Sequence, residues 1–181
     1  MRLESQIAAI DQDSLLIRYR VTNPGVDPVM VCDALLAIEP SGASQPDPER
    51  VYVVPDGEDG ASIGKYIPVM PEDVLRESPE LPLFREVPPG AVLDGVARLS
   101  IPVRAYHPYI HPPGKVEVRL FRLRLTIGYI EHQLLPADRP VMRPYAAAPG
   151  FFVASYGNGV RYQKHLSNTL PLHGGGLPAI W

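Results

Sequence analysis

Apolar and polar residues alternate with a period of two along several stretches of this chain. In S-L-L-I-R-Y-R-V-T, residues 14–22, Leu15, Ile17, Tyr19 and Val21 share one face, and Arg18, Arg20 and Thr22 share the other. In V-A-R-L-S-I-P-V-R, residues 96–104, Ala97, Leu99, Ile101 and Val103 oppose Arg98, Ser100 and Arg104. Successive side chains of a strand point to opposite faces, so each stretch predicts a β-strand buried on one side. Residues 116–131 predict a longer strand whose phase changes midway. Val116, Val118 and Leu120 hold even positions; Leu123, Leu125, Ile127 and Tyr129 hold odd ones. A one-residue slip turns every later side chain to the wrong face, so the pattern predicts a β-bulge within Leu120–Arg122. The two stretches that flank residues 105–115 predict a central hairpin.

The remaining chain carries weaker signals of the same kind. Residues 2–10 read as a first strand, with Leu3, Ile7 and Ala9 inward. Residues 28–38 are almost continuously apolar, as a strand buried on both faces or lying under a loop would be. N-P-G at 23–25 predicts a turn that joins this strand to its predecessor as an antiparallel hairpin. Residues 50–54 predict a short strand, and 65–70 an edge strand interrupted by Pro68. P-E-D-V-L-R-E-S, 71–78, has proline first and acids early, and is the one helix expected. Asn158-Gly159 predicts the turn of a late hairpin. Roughly eight to ten short strands, punctuated by turns, predict an all-β fold. The expected class is an immunoglobulin-like antiparallel β-sandwich, with a jelly roll or small barrel as alternatives. Residues 1–131 form the expected core. Residues 132–181 form an extended Pro/Gly-rich segment plus the late hairpin, packed on the same domain.

Composition sharpens this picture. The 181 residues include 22 prolines and 15 glycines, an excess that favours turns over long helices. The net charge of −3 removes the global footprint of a nucleic-acid binder. A single cysteine, Cys32, excludes an internal disulfide and reads as a small core residue. No apolar run reaches membrane-spanning length, and the first residues lack the apolar core of a signal peptide. A cytoplasmic location without membrane contact is expected.

Chemistry is sparse in the sequence. The loop A-Y-H-P-Y-I-H-P-P-G-K, 105–115, gathers Tyr106, His107, Tyr109 and His111 on a proline-stiffened segment. Tyrosines on sandwich loops build contact surfaces, and His107 with His111 is the candidate metal pair, although zinc takes three or four ligands. Asp56, Glu58 and Asp59 in D-G-E-D-G lack calcium-loop spacing. Arg98, Arg104, Arg119, Arg122 and Arg124 fall on one predicted solvent face as a basic stripe. Ser155 and Ser167 carry no nucleophile motif. Ile180 and Trp181 end the chain behind three glycines, and an exposed pair of this kind is an aggregation hazard; docking on the same domain or a neighbouring subunit is expected. These readings point away from catalysis and cofactors. They favour a non-catalytic module that binds a protein partner or copies of itself; a metal-binding or carbohydrate-binding module using the His107/His111 loop is the alternative.

Overall fold

The computed structural model describes residues 1–72, 79–110, 116–131 and 142–181. The helix expected over 71–78 falls largely outside them. In chain order the strands are β1 (Arg2–Ile10), β2 (Ser14–Thr22), β3 (Val29–Ile38), β4 (Ser44–Asp47), β5 (Tyr52–Pro55), β6 (Gly60–Lys65), β7 (Leu83–Val87) and β8 (Val92–Ser100). There follow β9 (Val103–Arg104), β10 (Glu117–Leu120), β11 (Arg122–Glu131), β12 (Met142–Pro144) and β13 (Phe152–Ala154). A short helix α1 (Tyr156–Tyr162) precedes β14 (Lys164–Pro171) and β15 (Leu177–Ile180). The protein is all-β, as its alternation predicts.

Three sheets share one core. An outer sheet runs β1-β2-β8, a small sheet runs β10-β15-β9, and a large sheet runs β12-β13-β7-β3-β11-β6-β5, with β14 on β11 and β4 on β3. Leu15, Ile17, Tyr19, Val21 and Leu99 from the outer sheet meet Ile63, Leu123, Leu125 and Ile127 from the large one. Leu120, Leu177 and Ala179 add the small sheet to the same cluster. Truncating a buried leucine or isoleucine here to alanine costs about 2–5 kcal/mol. Ile101, expected in this core, sits half-buried against its edge where β8 ends. The purely antiparallel sandwich expected from the sequence is corrected by two parallel pairings, β6 with β11 and β9 with β15. Long crossovers make such pairings available, because β6 reaches β11 only after the chain has laid down β7 to β10.

The apolar run of β3 is buried on both faces, as its composition requires. Val29 and Val31 face the main core, whereas Met30 and Cys32 face a second cluster with Phe84, Ile130 and Ala154. Cys32 is fully buried, and that burial pushes its thiol well above the ordinary range. Thiolate is the reactive species. The native protein is therefore expected to resist a thiol-specific disulfide reagent at pH 8 and to react at once in denaturant. Equal rates in the two states would contradict the placement of β3.

Pairing partners depart from expectation where alternation alone specified them. The central hairpin does not form: β8 pairs with β2, from Ser14↔Ser100 to Thr22↔Val92. Alternation gives a strand its buried face but not its neighbour. The N-P-G turn likewise carries the chain from the outer sheet to the large one. Buried Asn23 holds this crossing, its Nδ2 donating to Asp27 O at 2.8 Å and Val87 O at 3.0 Å while its Oδ1 accepts from Gly25 N.

The phase change falls at Phe121, as predicted, with Leu120 and Leu123 buried and Phe121 and Arg122 exposed. Its cause is a change of sheet and not a bulge in one ladder: β10 belongs to the small sheet and β11 to the large one. Phe121 N donates to Asp59 O, and its carbonyl accepts from Leu172 N. Asn158-Gly159 forms no hairpin turn; it lies inside α1. Packing decides this, because a Cβ on Gly159 would stand 2.4 Å from Ile67 Cδ1.

Candidate functional site

The aromatic loop folds inward. A bridge between Val53 and Tyr106 ties it to β5, and it closes on Tyr52, whose ring lies 6.0 Å from that of Tyr106 and 5.4 Å from that of His107. His107 and Tyr109 are buried, and Tyr106 is half-buried. The hydroxyls of Tyr52 and Tyr106 both donate to Glu80 Oε1, at 3.2 and 3.1 Å. Tyr109 Oη accepts the Glu80 N–H. His107 Nδ1 accepts the backbone N–H groups of Tyr109 and Ile110, which uses the lone pair that a metal would need at that atom. His111, the second member of the expected metal pair, lies outside the described residues. Among the described residues no group of three or more His, Cys, Asp or Glu is placed to hold a metal ion. The structure thus brings Tyr106, His107 and Tyr109 together as one cluster anchored by Glu80.

Trp181 and Ile180 dock on the chain's own body. Trp181 and Val116 exchange both backbone hydrogen bonds at 2.9 Å, and the indole packs half-buried against the main core. Ile180 pairs with Glu117 on one side and Arg104 on the other.

The predicted arginine stripe is dispersed. β6 lies beside β11, so the acidic turn at 56–60 faces Arg122 and Arg124. Arg124 meets Asp56 Oδ2 at 2.8 Å, and Arg122 meets Asp59 Oδ1 at 3.2 Å. Arg119 donates to Gly175 O. Arg98 and Arg104 stand elsewhere, on β8 and β9. Exposed ion pairs of this kind contribute about 0–1 kcal/mol each, and they remove the continuous positive face that a nucleic-acid strand would follow.

A site that sequence reading missed lies across the outer sheet. A cleft of about 720 Å³ crosses β1, β2 and β8 and reaches the large sheet past the β8 edge. Glu4, Arg18, Arg20, Asp33, Arg85 and Asp94 line it. Arg20 Nε meets Asp94 Oδ1 at 2.8 Å, and this arginine holds the Asp94 carboxyl below its usual range. Arg85 Nε meets Asp33 Oδ2 at 3.0 Å, with Asp33 buried. Gly95 opens the floor: a Cβ there would sit 2.2 Å from the Tyr19 ring.

Beneath the cleft is a buried cation. Lys65 Nζ donates to Asp33 O at 2.7 Å and Val96 O at 2.8 Å, to Pro48 O, and to the Tyr19 hydroxyl at 2.9 Å. An ammonium has three N–H donors, so three carbonyls match it and the phenol supplies a fourth oxygen. Burial lowers the Lys65 pKa to about 8, against the opposing pull of Asp33 and other acids. Burial also pushes the Tyr19 phenol well above its ordinary value. The signal was present in the sequence: Ala61, Ile63 and Lys65 continue a period of two, which points Lys65 inward.

Comparison with protein-family models, with curated proteins and with solved structures finds no match. Among the described residues no helix is long and apolar enough to cross a membrane.

Proposed function

We propose that the protein is a non-catalytic, immunoglobulin-like β-sandwich that works in the cytoplasm by binding a protein partner through the outer-sheet cleft. The observation that carries this reading is the cleft's row of arginines and carboxylates on a rigid three-stranded face. Arginine is enriched where protein surfaces meet, and charges of both signs set register against a complementary partner. The same geometry disfavours catalysis there. Asp94, ion-paired and of lowered pKa, is a poor general base. Lys65 is fully buried and its ammonium is already held by four oxygens. The alternative module built on the His107/His111 loop has less support, because the His107 and Tyr109 rings pack inward.

Arg18 is exposed and, among the described residues, has no carboxylate within ion-pair distance. The Arg18→Glu variant is expected to keep native stability within about 0.5 kcal/mol. Its affinity for a partner recovered with the wild-type protein is expected to fall at least about tenfold in a titration. Unchanged affinity would refute the cleft as the binding face. Stoichiometric zinc in the purified protein, lost in His107→Ala, would favour the alternative.

A further inference from the structure

We infer that a second, smaller pocket on the other half of the β8 edge binds an organic anion: a carboxylate or phosphate head on an apolar body. The pocket encloses about 350 Å³, within the range of about 300–1,000 Å³ typical of small-ligand sites. Three arginines line it, Arg50, Arg98 and Arg104, and its lining includes no carboxylate. Leu99 and Val103 floor it and are themselves buried. It is therefore an open recess of mixed polarity with an apolar floor and a cationic rim, unlike the cleft beside it, which carries charges of both signs.

Each arginine stands differently. Arg98 is already engaged, its Nε donating to Glu49 Oε2 at 2.6 Å. The Arg50 guanidinium carbon stands over the Tyr106 ring, 4.4 Å from its centroid, a cation–π contact that helps to hold it at the pocket. Among the described residues neither Arg50 nor Arg104 has a carboxylate within ion-pair distance. Burying apolar surface beneath two guanidiniums that lack carboxylates leaves a charge that an incoming anion would satisfy. The guanidinium fork matches carboxylate and phosphate oxygens in pairs. Tyr106 lines the pocket as well; its hydroxyl donates to Glu80, and Arg50 interacts with the same side chain. Two stretches distant in sequence converge here, residues 50–53 and the neighbouring 98–100 and 103–106, which is why alternation along any single strand could not reveal it.

The test uses the full-length protein and three probes of similar size: phenyl phosphate, benzoate and neutral benzyl alcohol. Calorimetric titration is expected to show saturable binding of at least one of the two anions and none of the alcohol. Preference between phosphate and benzoate names the head group. Arg104→Gln, at an exposed position, is expected to weaken that binding at least about tenfold, the loss of a charge-assisted hydrogen bond. Glu49→Gln frees Arg98 and is expected to tighten binding, a gain that a purely structural role for these residues would not produce. The inference is overturned if neither anion binds saturably, if benzyl alcohol binds equally well, or if Arg104→Gln leaves anion affinity unchanged. The cleft reading does not depend on this result, because Arg18 lies outside the pocket.

Discussion

Replacing Lys65 with methionine is expected to destabilise the protein by about 1–3 kcal/mol, the range for leaving buried polar groups without a partner. Methionine nearly preserves volume but strands the carbonyls of Asp33, Pro48 and Val96, the first of them buried, together with the buried Tyr19 hydroxyl. These groups belong to the outer sheet, the large sheet and the segment between β4 and β5, so the loss loosens the junction of both layers. Denaturant unfolding at pH 7 measures it. The pH dependence provides a second signature. With a folded pKa of about 8 and an unfolded value near 10.5, the unfolded chain binds more protons between those limits, so stability rises with pH there. Relative to Lys65→Met, the wild-type protein is expected to gain up to about 3 kcal/mol across that window. The absolute curve flattens sooner. Cys32 and Tyr19 hold their protons in the fold above pH 9 and 10 respectively, which lowers stability as the unfolded groups ionise. A difference curve that is flat from pH 8 to 10.5 would show that Lys65 is not perturbed as its oxygen cage and burial require.

Gly64→Ala is expected to cost about 3 kcal/mol or more, at the upper end of overpacking effects. Gly64 pairs with Thr126 in the parallel ladder of β6 and β11. A Cβ at this position would lie 2.4 Å from the Thr126 carbonyl oxygen and 2.9 Å from the Tyr66 ring. The backbone oxygen cannot move without opening the ladder, and its displacement would also shift Lys65, the next residue. The expected readout is a lower midpoint of urea unfolding with an unchanged slope, because the surface exposed on unfolding stays the same. A wild-type midpoint would mean that β6 lies farther from β11 than this register places it.

Much of the fold was legible because burial imposes a period. The face of β2 is the clearest case: alternation points Leu15, Ile17, Tyr19 and Val21 inward, and all four are buried. The double burial of β3 and the phase change at Phe121 were legible for the same reason. Neighbour relations were not, since a strand's pattern is identical whichever strand lies beside it. Alternation therefore predicts a hairpin of β8 with the 116–131 stretch where β2 is the partner, and N-P-G predicts a hairpin turn where the chain crosses between sheets. Composition misled where one residue type serves two ends. Tyr106, His107 and Tyr109 read as a surface loop, yet their rings close on Tyr52 and Glu80. Arg98 and Arg104 read as part of a stripe, yet they meet Arg50 from another segment. Lysine is rarely buried, so Lys65 carries no inward signal of its own type, although its parity with Ile63 places it inside.

The position of Asn158-Gly159 within α1 bears on how the molecule ages. An asparagine followed by glycine is prone to deamidate, because the unhindered backbone nitrogen after it can close onto the side-chain carbonyl as a succinimide. Here that nitrogen donates to Ser155 O at 2.7 Å, and helical geometry holds it away from the amide it would attack. Glycine is nonetheless required at 159 by the contact with Ile67. The sequence thus keeps a chemically fragile pair for a packing reason and shields it by conformation. Asn23, whose amide anchors the crossing between sheets, is safe by a different route, since Pro24 has no N–H to deliver a proton-bearing nucleophile. Deamidation at Asn158 is consequently gated by local opening of one short helix, and its rate follows the stability of that segment more closely than that of the core.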